Sequence, residues 1–305
     1  MDAYASSRDN LTYSDKPPLL LAASSEAAMA RAEDSIRALQ LSIGARLPLS
    51  LALERIRTQA RASAVWFEID KDCGAPMDEL LRQMSKDALE GRYAAIVSTA
   101  PEFIDPVLAA VDESAVEIVV NPDESQRIAA LAIATSDRGL HGTVGDAAKD
   151  RNADRLRQLS DEVSRIASTL ARLSSGPRLQ TVSNEASGIE APAVSAETVR
   201  GVIRARRLRA RHFSEELFAD PAWDMLLDLL QAEIAQLRVP VSSLCIAAAV
   251  PATTALRWLK TLVSEGLFVR RADPHDGRRV FVELAPGTSQ ALRRYFAEVG
   301  QVAVI

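Results

Sequence analysis

Between Leu19 and about Ala134, five short apolar runs alternate with five amphipathic segments. The runs are Leu19–Ala23, Ile43–Leu49, Val65–Ile69, Ala94–Val97 and Val116–Val120. Helical patterns lie near 25–40, 50–61, 76–90, 106–112 and 123–134. A strand that reads as an unbroken apolar run is buried on both faces, and the alternating helices supply the cover. The pattern therefore predicts a parallel sheet sandwiched between helices. Pro76 and Pro106 suit first-turn positions, with Asp105 placed to cap a helix that starts at Pro106.

The fold class expected for this part is an α/β sandwich of the flavodoxin-like kind. The whole chain has 305 residues, about two domains' worth. Hydrophobic residues make up 48% and charged residues 25%, which excludes collagen, a wholly disordered chain and a disulfide scaffold. No apolar run approaches the ~18 residues of a spanning helix, so no membrane partner is expected. MDAYASSRDN lacks the basic and apolar regions of a secretory signal. Cys73 and Cys245 fit no metal or redox spacing and read as reduced thiols of a cytoplasmic protein. Residues 1–17 are polar and read as a flexible tail, ahead of the α/β domain at 18–135.

Residues 136–175 read as a Gly-containing loop and a heptad helix. Leu156, Leu159, Val163, Ile166, Leu170 and Leu173 are spaced 3, 4, 3, 4, 3. That is the a/d seam of a two-chain coiled coil, which makes a homodimer the expectation. The competing reading is one amphipathic helix packed on its own domain. Residues 176–195, rich in Ser, Pro, Gly and Ala, read as a linker.

Charge is unevenly spread. Residues 196–300 hold 15 basic and 12 acidic residues, whereas the rest of the chain holds 21 basic and 29 acidic. Such asymmetry points to a nucleic-acid-facing end. Arg200, Arg204, Arg206, Arg207, Arg209 and Arg211 crowd into twelve residues. They read either as a solvated helix face or as additional phosphate contacts.

The C-terminal part carries the most informative pattern. A helix opened by Pro221 runs to about Leu237, with Trp223, Leu226, Leu227, Leu230 and Ile234 on its apolar side. A short helix, Ser243–Ala249, precedes another over Ala252–Glu265, which Gly266 stops. In the latter, Leu256, Leu259, Leu262 and Val263, with Trp258, face a core. Thr253, Arg257, Lys260, Thr261 and Ser264 recur at helical spacing on the other side. Two apolar runs, Leu267–Val269 and Val280–Leu284, flank Asp276-Gly277, a hairpin signal. Arg270, Arg271, Arg278 and Arg279 flank that hairpin. Together these describe a winged helix-turn-helix domain at 196–300. A helix fits the major groove, and arginine forks bind phosphate beside it.

The segment SSLCIAAAVPATTALRWLKTLVSEGLFVRRADPHDGRRVFVELA resembles the winged helix of MarR-type transcriptional regulators. The resemblance rests on the small-residue second helix, the Leu262…Gly266-Leu267 junction and the wing pattern Asp273…Asp276…Arg278-Arg279. It implies double-stranded DNA as partner, and wing acids that brace the arginines. The segment departs from the family in carrying Ala249 where glycine is usual, and its flanking helices read as short or replaced. The competing reading is a winged helix used for protein contact.

The first domain resembles the receiver domain of bacterial response regulators through LLLAASS, VWFEID, AIVSTA and EIVVNP. The resemblance puts Asp70 at the phosphoacceptor position and Ser98 or Thr99 at the hydroxyl position. The acidic pair that would bind a divalent cation is replaced by Ala22, Ala23 and Ser24, and Asn121 stands where lysine is expected. A degenerate, unphosphorylated receiver is therefore expected, used for dimerisation, signal input or docking of a protein partner.

No GxGxxG, P-loop, HExxH or nucleophile elbow is present, and His141, His212 and His275 are scattered. No catalytic residue, cofactor or metal is assigned. The leading expectation is a homodimeric, sequence-specific DNA-binding regulator. Its DNA contacts would be Thr253, Thr254, Arg257, Lys260, Thr261, Arg271, Arg278 and Arg279, with Asp273 and Asp276 supporting the wing. The alternatives are a protein-binding signalling adaptor and a sequence-independent architectural DNA binder.

Overall fold

The structure is a computed structural model that describes residues 17–58, 62–136 and 193–299. The heptad segment, residues 1–16 and most of the expected linker lie outside the described residues. In chain order the first part comprises β1 (Leu19–Ala23), α1 (Glu26–Ala38), β2 (Ile43–Pro48), α2 (Leu49–Thr58) and β3 (Ala64–Ile69). These are followed by α3 (Ala75–Leu89), β4 (Ala94–Thr99), α4 (Ile104–Ala110), β5 (Val116–Val120) and α5 (Glu124–Ser136).

The five strands form one parallel sheet in the order β2-β1-β3-β4-β5. The central strands β1 and β3 are buried along their whole length, as their unbroken apolar runs require. The edge strand β2 alternates half-buried with exposed residues. Gly44 sits where a Cβ would come within 2.6 Å of Pro18, so only glycine lets β2 approach the start of β1. Helices α1 and α5 cover one face through Ala28, Ala32, Ile36 and Leu131. Helices α2, α3 and α4 cover the other through Ala52, Ile56, Leu80, Leu81, Met84 and Val107.

Glu68 is a carboxylate buried within β3. It accepts from Trp66 Nε1 at 3.2 Å and from Arg127 Nε at 3.1 Å, so its charge is paired. A buried carboxylate persists only with such partners.

The second part comprises α6 (Ala196–Leu208), α7 (Pro221–Ile234), β6 (Val239–Pro240), α8 (Val241–Ala247), α9 (Ala252–Ser264), β7 (Phe268–Ala272), β8 (Val280–Leu284) and α10 (Pro286–Val299). Helix α7 opens as its sequence dictates, with Asp220 capping Trp223 N and Pro221 in the first turn. The three short strands form an antiparallel sheet, β6-β8-β7. Strand β7 runs three residues further than its apolar run, because the hairpin ladder continues through Arg270↔Val282 to Ala272↔Val280. Helix α10 packs back on α7, where Ser289 and Arg293 reach Glu233 at 2.6 and 2.8 Å. The helices flanking this core, which read as short or replaced, are 13 and 14 residues long.

Helices α8 and α9 meet at 108° across a four-residue turn. This is the angle and turn length of a helix-turn-helix pair. Ala249 sits in that turn at φ +53°, in the left-handed region where glycine is at ease. Trp258, expected in the core, is instead 40% exposed, because α9 buries Ala255, Leu256, Leu259 and Leu262 and Trp258 lies beside that stripe.

Two differences concern the connection between the parts. Asp105 does not cap its own helix, which begins one residue earlier, at Ile104. Its carboxylate instead accepts from Ser242 N at 3.1 Å and from the Ser242 hydroxyl, at the start of α8. In addition, Ile104, Leu108 and Val120 of the first part are buried in one cluster with the core of the second.

Replacing Ala249 by glycine should relieve the left-handed strain, less the extra entropy of an unfolded glycine. We expect a net gain of about 0.5 kcal/mol and a rise in Tm of roughly 1–2 °C, measured by calorimetry.

Candidate nucleic-acid interface

Helix α9 sorts its residues by face. Ala255, Leu256, Leu259 and Leu262 are buried, whereas Thr254, Arg257, Lys260 and Thr261 are exposed. A 3.6-residue period puts these sets on opposite sides. Thr261 is partly spent, since its hydroxyl donates back to Arg257 O at 3.0 Å. Thr253, in the first turn, is half-buried.

The hairpin stands beside α9. Asp273 accepts from His275 N at 2.9 Å, and Asp276 accepts from Arg278 N at 3.0 Å, so both acids shape the turn. Asp276 also pairs with Arg279 at 3.2 Å. Arg271 pairs with Glu283 across the ladder at 2.6 Å. Arg271 and Arg279 both have exposed side chains. The guanidinium of Arg278 turns away from its own hairpin. It makes a two-pronged contact with Asp72, at 2.9 and 2.8 Å, and lies 3.2 Å from Asp78.

The structure therefore brings α9 and the wing together, and lays part of the first domain against both. Val120 N donates to Thr253 Oγ1 at 2.9 Å, and that hydroxyl lies 3.3 Å from Val120 O. Arg257 pairs with Glu117 at 3.2 Å. Lys260 donates to Glu113 O at 2.7 Å. Arg270, half-buried on β7, pairs with Glu113 at 2.8 Å. The hydrogen bonds from Arg278 hold the Asp72 carboxyl below its ordinary range. Burial pushes the Asp78 carboxyl up, against the pull of Arg278. Sequence reasoning assigned no role to Asp72, Asp78, Glu113 or Glu117. The available signal was the acidic surplus of the first part facing the basic surplus of the second.

On the arginine-rich helix, Arg206 is half-buried and pairs with Asp224 at 2.6 Å, and Arg209 stacks over Phe218. Arg200, Arg204, Arg207 and Arg211 surround a shallow depression beside Gln231.

The acceptor-like Asp70 lies just past β3. It accepts from Ser24 Oγ and Ser25 Oγ, both at 2.8 Å, and from Arg31 Nη2 at 2.9 Å. Partial burial opposes ionisation, but the bonds from Arg31, Ser25 and Ser24 outweigh it and hold the carboxyl below its ordinary range. Ser98 and Thr99, the expected hydroxyl positions, are buried at the end of β4. Asn121 follows β5 with φ +46°. The chain's own hydroxyls and guanidinium thus occupy the ground beside Asp70. Burial pushes the Cys245 thiol up to about 12, which keeps it protonated and unreactive.

No family model matches this chain, and no curated protein matches it. Among solved structures it is similar to the transcriptional regulator PA4135, at 20% identity, with 34% of this chain and 74% of that one covered and a TM-score of 0.22. It is similar to the transcriptional regulator Tm0710 from Thermotoga maritima at 18% identity, covering 34% and 79%, with a TM-score of 0.21. A third is Bordetella bronchiseptica BpsR, whose DNA binding is regulated by 6-hydroxynicotinic acid, at 22% identity, covering 32% and 76%, with a TM-score of 0.21. Each of these matches covers about a third of this chain. Likeness at this level carries no assignment for the present protein. Among the described residues no single helix is long and apolar enough to cross a membrane.

A carboxyl held low in the fold stabilises it above the ordinary aspartate range, and the contribution is lost as pH falls through the lowered value. Asp70→Asn should therefore flatten the acid limb of stability below about pH 4, read from thermal unfolding across a pH series.

Proposed function

We propose that the chain is a DNA-binding transcriptional regulator that reads the major groove with α9 and grips the backbone with its wing. The observation that carries this reading is the division of α9 into a buried apolar stripe and a face bearing Thr254, Arg257 and Lys260, next to a hairpin with exposed Arg271 and Arg279. The 108° turn from α8 into α9 supports it, since that geometry lets one helix cross the backbone while the next enters the groove. In this reading Thr253, Thr254, Arg257, Lys260 and Thr261 reach base edges or phosphates. Arg271, Arg278 and Arg279 bind the neighbouring backbone, and Asp276 orients Arg279.

The first domain is read as a flavodoxin-like, receiver-like module, on the strand order 2-1-3-4-5. It works without phosphorylation, because Arg31, Ser24 and Ser25 already engage Asp70. The heptad Leu156 to Leu173 joins two copies, on its spacing alone. A dimer of this kind reads a pseudo-palindrome.

The test is selection from a random-sequence duplex pool, followed by salt titration. Enrichment of inverted repeats, with affinity falling steeply as salt rises, is expected. Uniform binding would favour an architectural role, and no binding with any variant would overturn the reading. Arg279→Ala should weaken binding to all sequences alike and shallow the log–log salt slope by about one unit. Arg257→Ala should lower affinity or alter site preference, and wild-type behaviour would remove it from the interface. Asp70 should take up no phosphate from a small phosphodonor with Mg²⁺, checked by intact-mass measurement.

A further inference from the structure

Helix α9 is not free to enter a groove in this structure. The end of β5 is hydrogen-bonded to its first turn through Val120 and Thr253. A helix with its side chains is about 10–12 Å across, and the major groove is about 12 Å wide. A β-strand fixed alongside the helix leaves no room for the groove walls.

The chemistry of the contact matches its shape. Arg257 meets Glu117, Arg278 meets Asp72 and Asp78, and Arg270 meets Glu113. Lys260 is held by the carbonyl of Glu113. The first domain thus sets carboxylates against Arg257 and Arg278, which the proposed function assigns to DNA, and against Arg270 beside them. Arginine accepts a carboxylate and a phosphate with the same planar fork.

We infer that the acidic face formed by Asp72, Asp78, Glu113 and Glu117 acts as an intramolecular substitute for DNA and holds the winged helix in a closed, non-binding form. This inference rests on the proposed function and adds its regulation. The closed form is held by a polar, ion-pair-rich seam with three apolar side chains, Ile104, Leu108 and Val120, at its centre. Seams of this character permit domain motion. DNA binding then requires the seam to open, and apparent affinity falls in proportion to the open fraction. Any partner that binds the acidic face competes with the winged domain and raises DNA affinity.

The test compares the full-length chain with the double variant Asp72→Asn, Glu117→Gln. Both carboxylates are substantially exposed, and the amide introduced by Asp72→Asn keeps an oxygen for the turn bond that Gly74 N makes, so folding is preserved. Two weakened exposed pairs should raise the open fraction, and hence affinity for the duplexes enriched from the random pool, about tenfold at fixed salt. A second readout uses the unaltered chain: amide exchange across residues 116–121 should quicken when an enriched duplex is added, because Val120 N loses Thr253. Equal affinities for variant and parent, or exchange unchanged by bound DNA, would overturn the closed form while leaving DNA binding intact. Failure of both chains to bind any duplex would overturn the functional reading and this inference with it.

Discussion

Three apolar side chains of the first domain, Ile104, Leu108 and Val120, are buried with the core of α7, α8, α9 and the wing sheet. Burying an aliphatic side chain fully contributes roughly 1.5–3 kcal/mol, more than an exposed ion pair supplies. This cluster therefore sets the position of the two halves, and the ion pairs around it add direction. It brings β5 to the first turn of α9, Glu113 between Lys260 and Arg270, and Asp105 under α8. A charged seam without that centre would slide, and the matching of particular arginines to particular carboxylates would be lost.

The pairing has an electrostatic logic. Arg278 and Asp78 sit partly out of water, where attraction between charges is less screened, whereas Arg257 and Glu117 lie where solvent and salt weaken it. The ion pairing is thus stronger at the wing than along α9. Under the proposed function, salt would act on both of the events that compete for the arginines, closing and DNA binding, and weaken each.

Much of the fold is legible because the sequence carries its periods openly. Leu19–Ala23 and Val116–Val120 read as strands and fold as strands with those bounds. Helices announce their starts through Pro76 and Pro221. Val239–Pro240 carries no signal, since two residues cannot show alternation, yet they close the third strand of the wing sheet. Trp258 falls outside its expected place because a helical stripe fixes a face only to within one residue. The docking of the two halves is illegible for a deeper reason. Arg257 and Lys260 look the same in sequence whether water, phosphate or Glu117 faces them, and Asp105 looks the same whether it caps its own helix or one 137 residues away. Periodicity records which side of an element is wet or dry, not which partner stands opposite a charge.

That Asp105 contact also bears on how the chain assembles. Helix α8 is seven residues long, follows Pro240, and receives no side-chain cap from its own neighbours. So short a helix is marginal alone, and its N-terminal amide is satisfied by a carboxylate that leaves the ribosome long before it does. The α/β half is complete by α5, and domains generally fold as units in order of synthesis. The α/β half thus supplies the second half with a cap for α8 and a strand end for α9, two contacts that the second half does not make for itself.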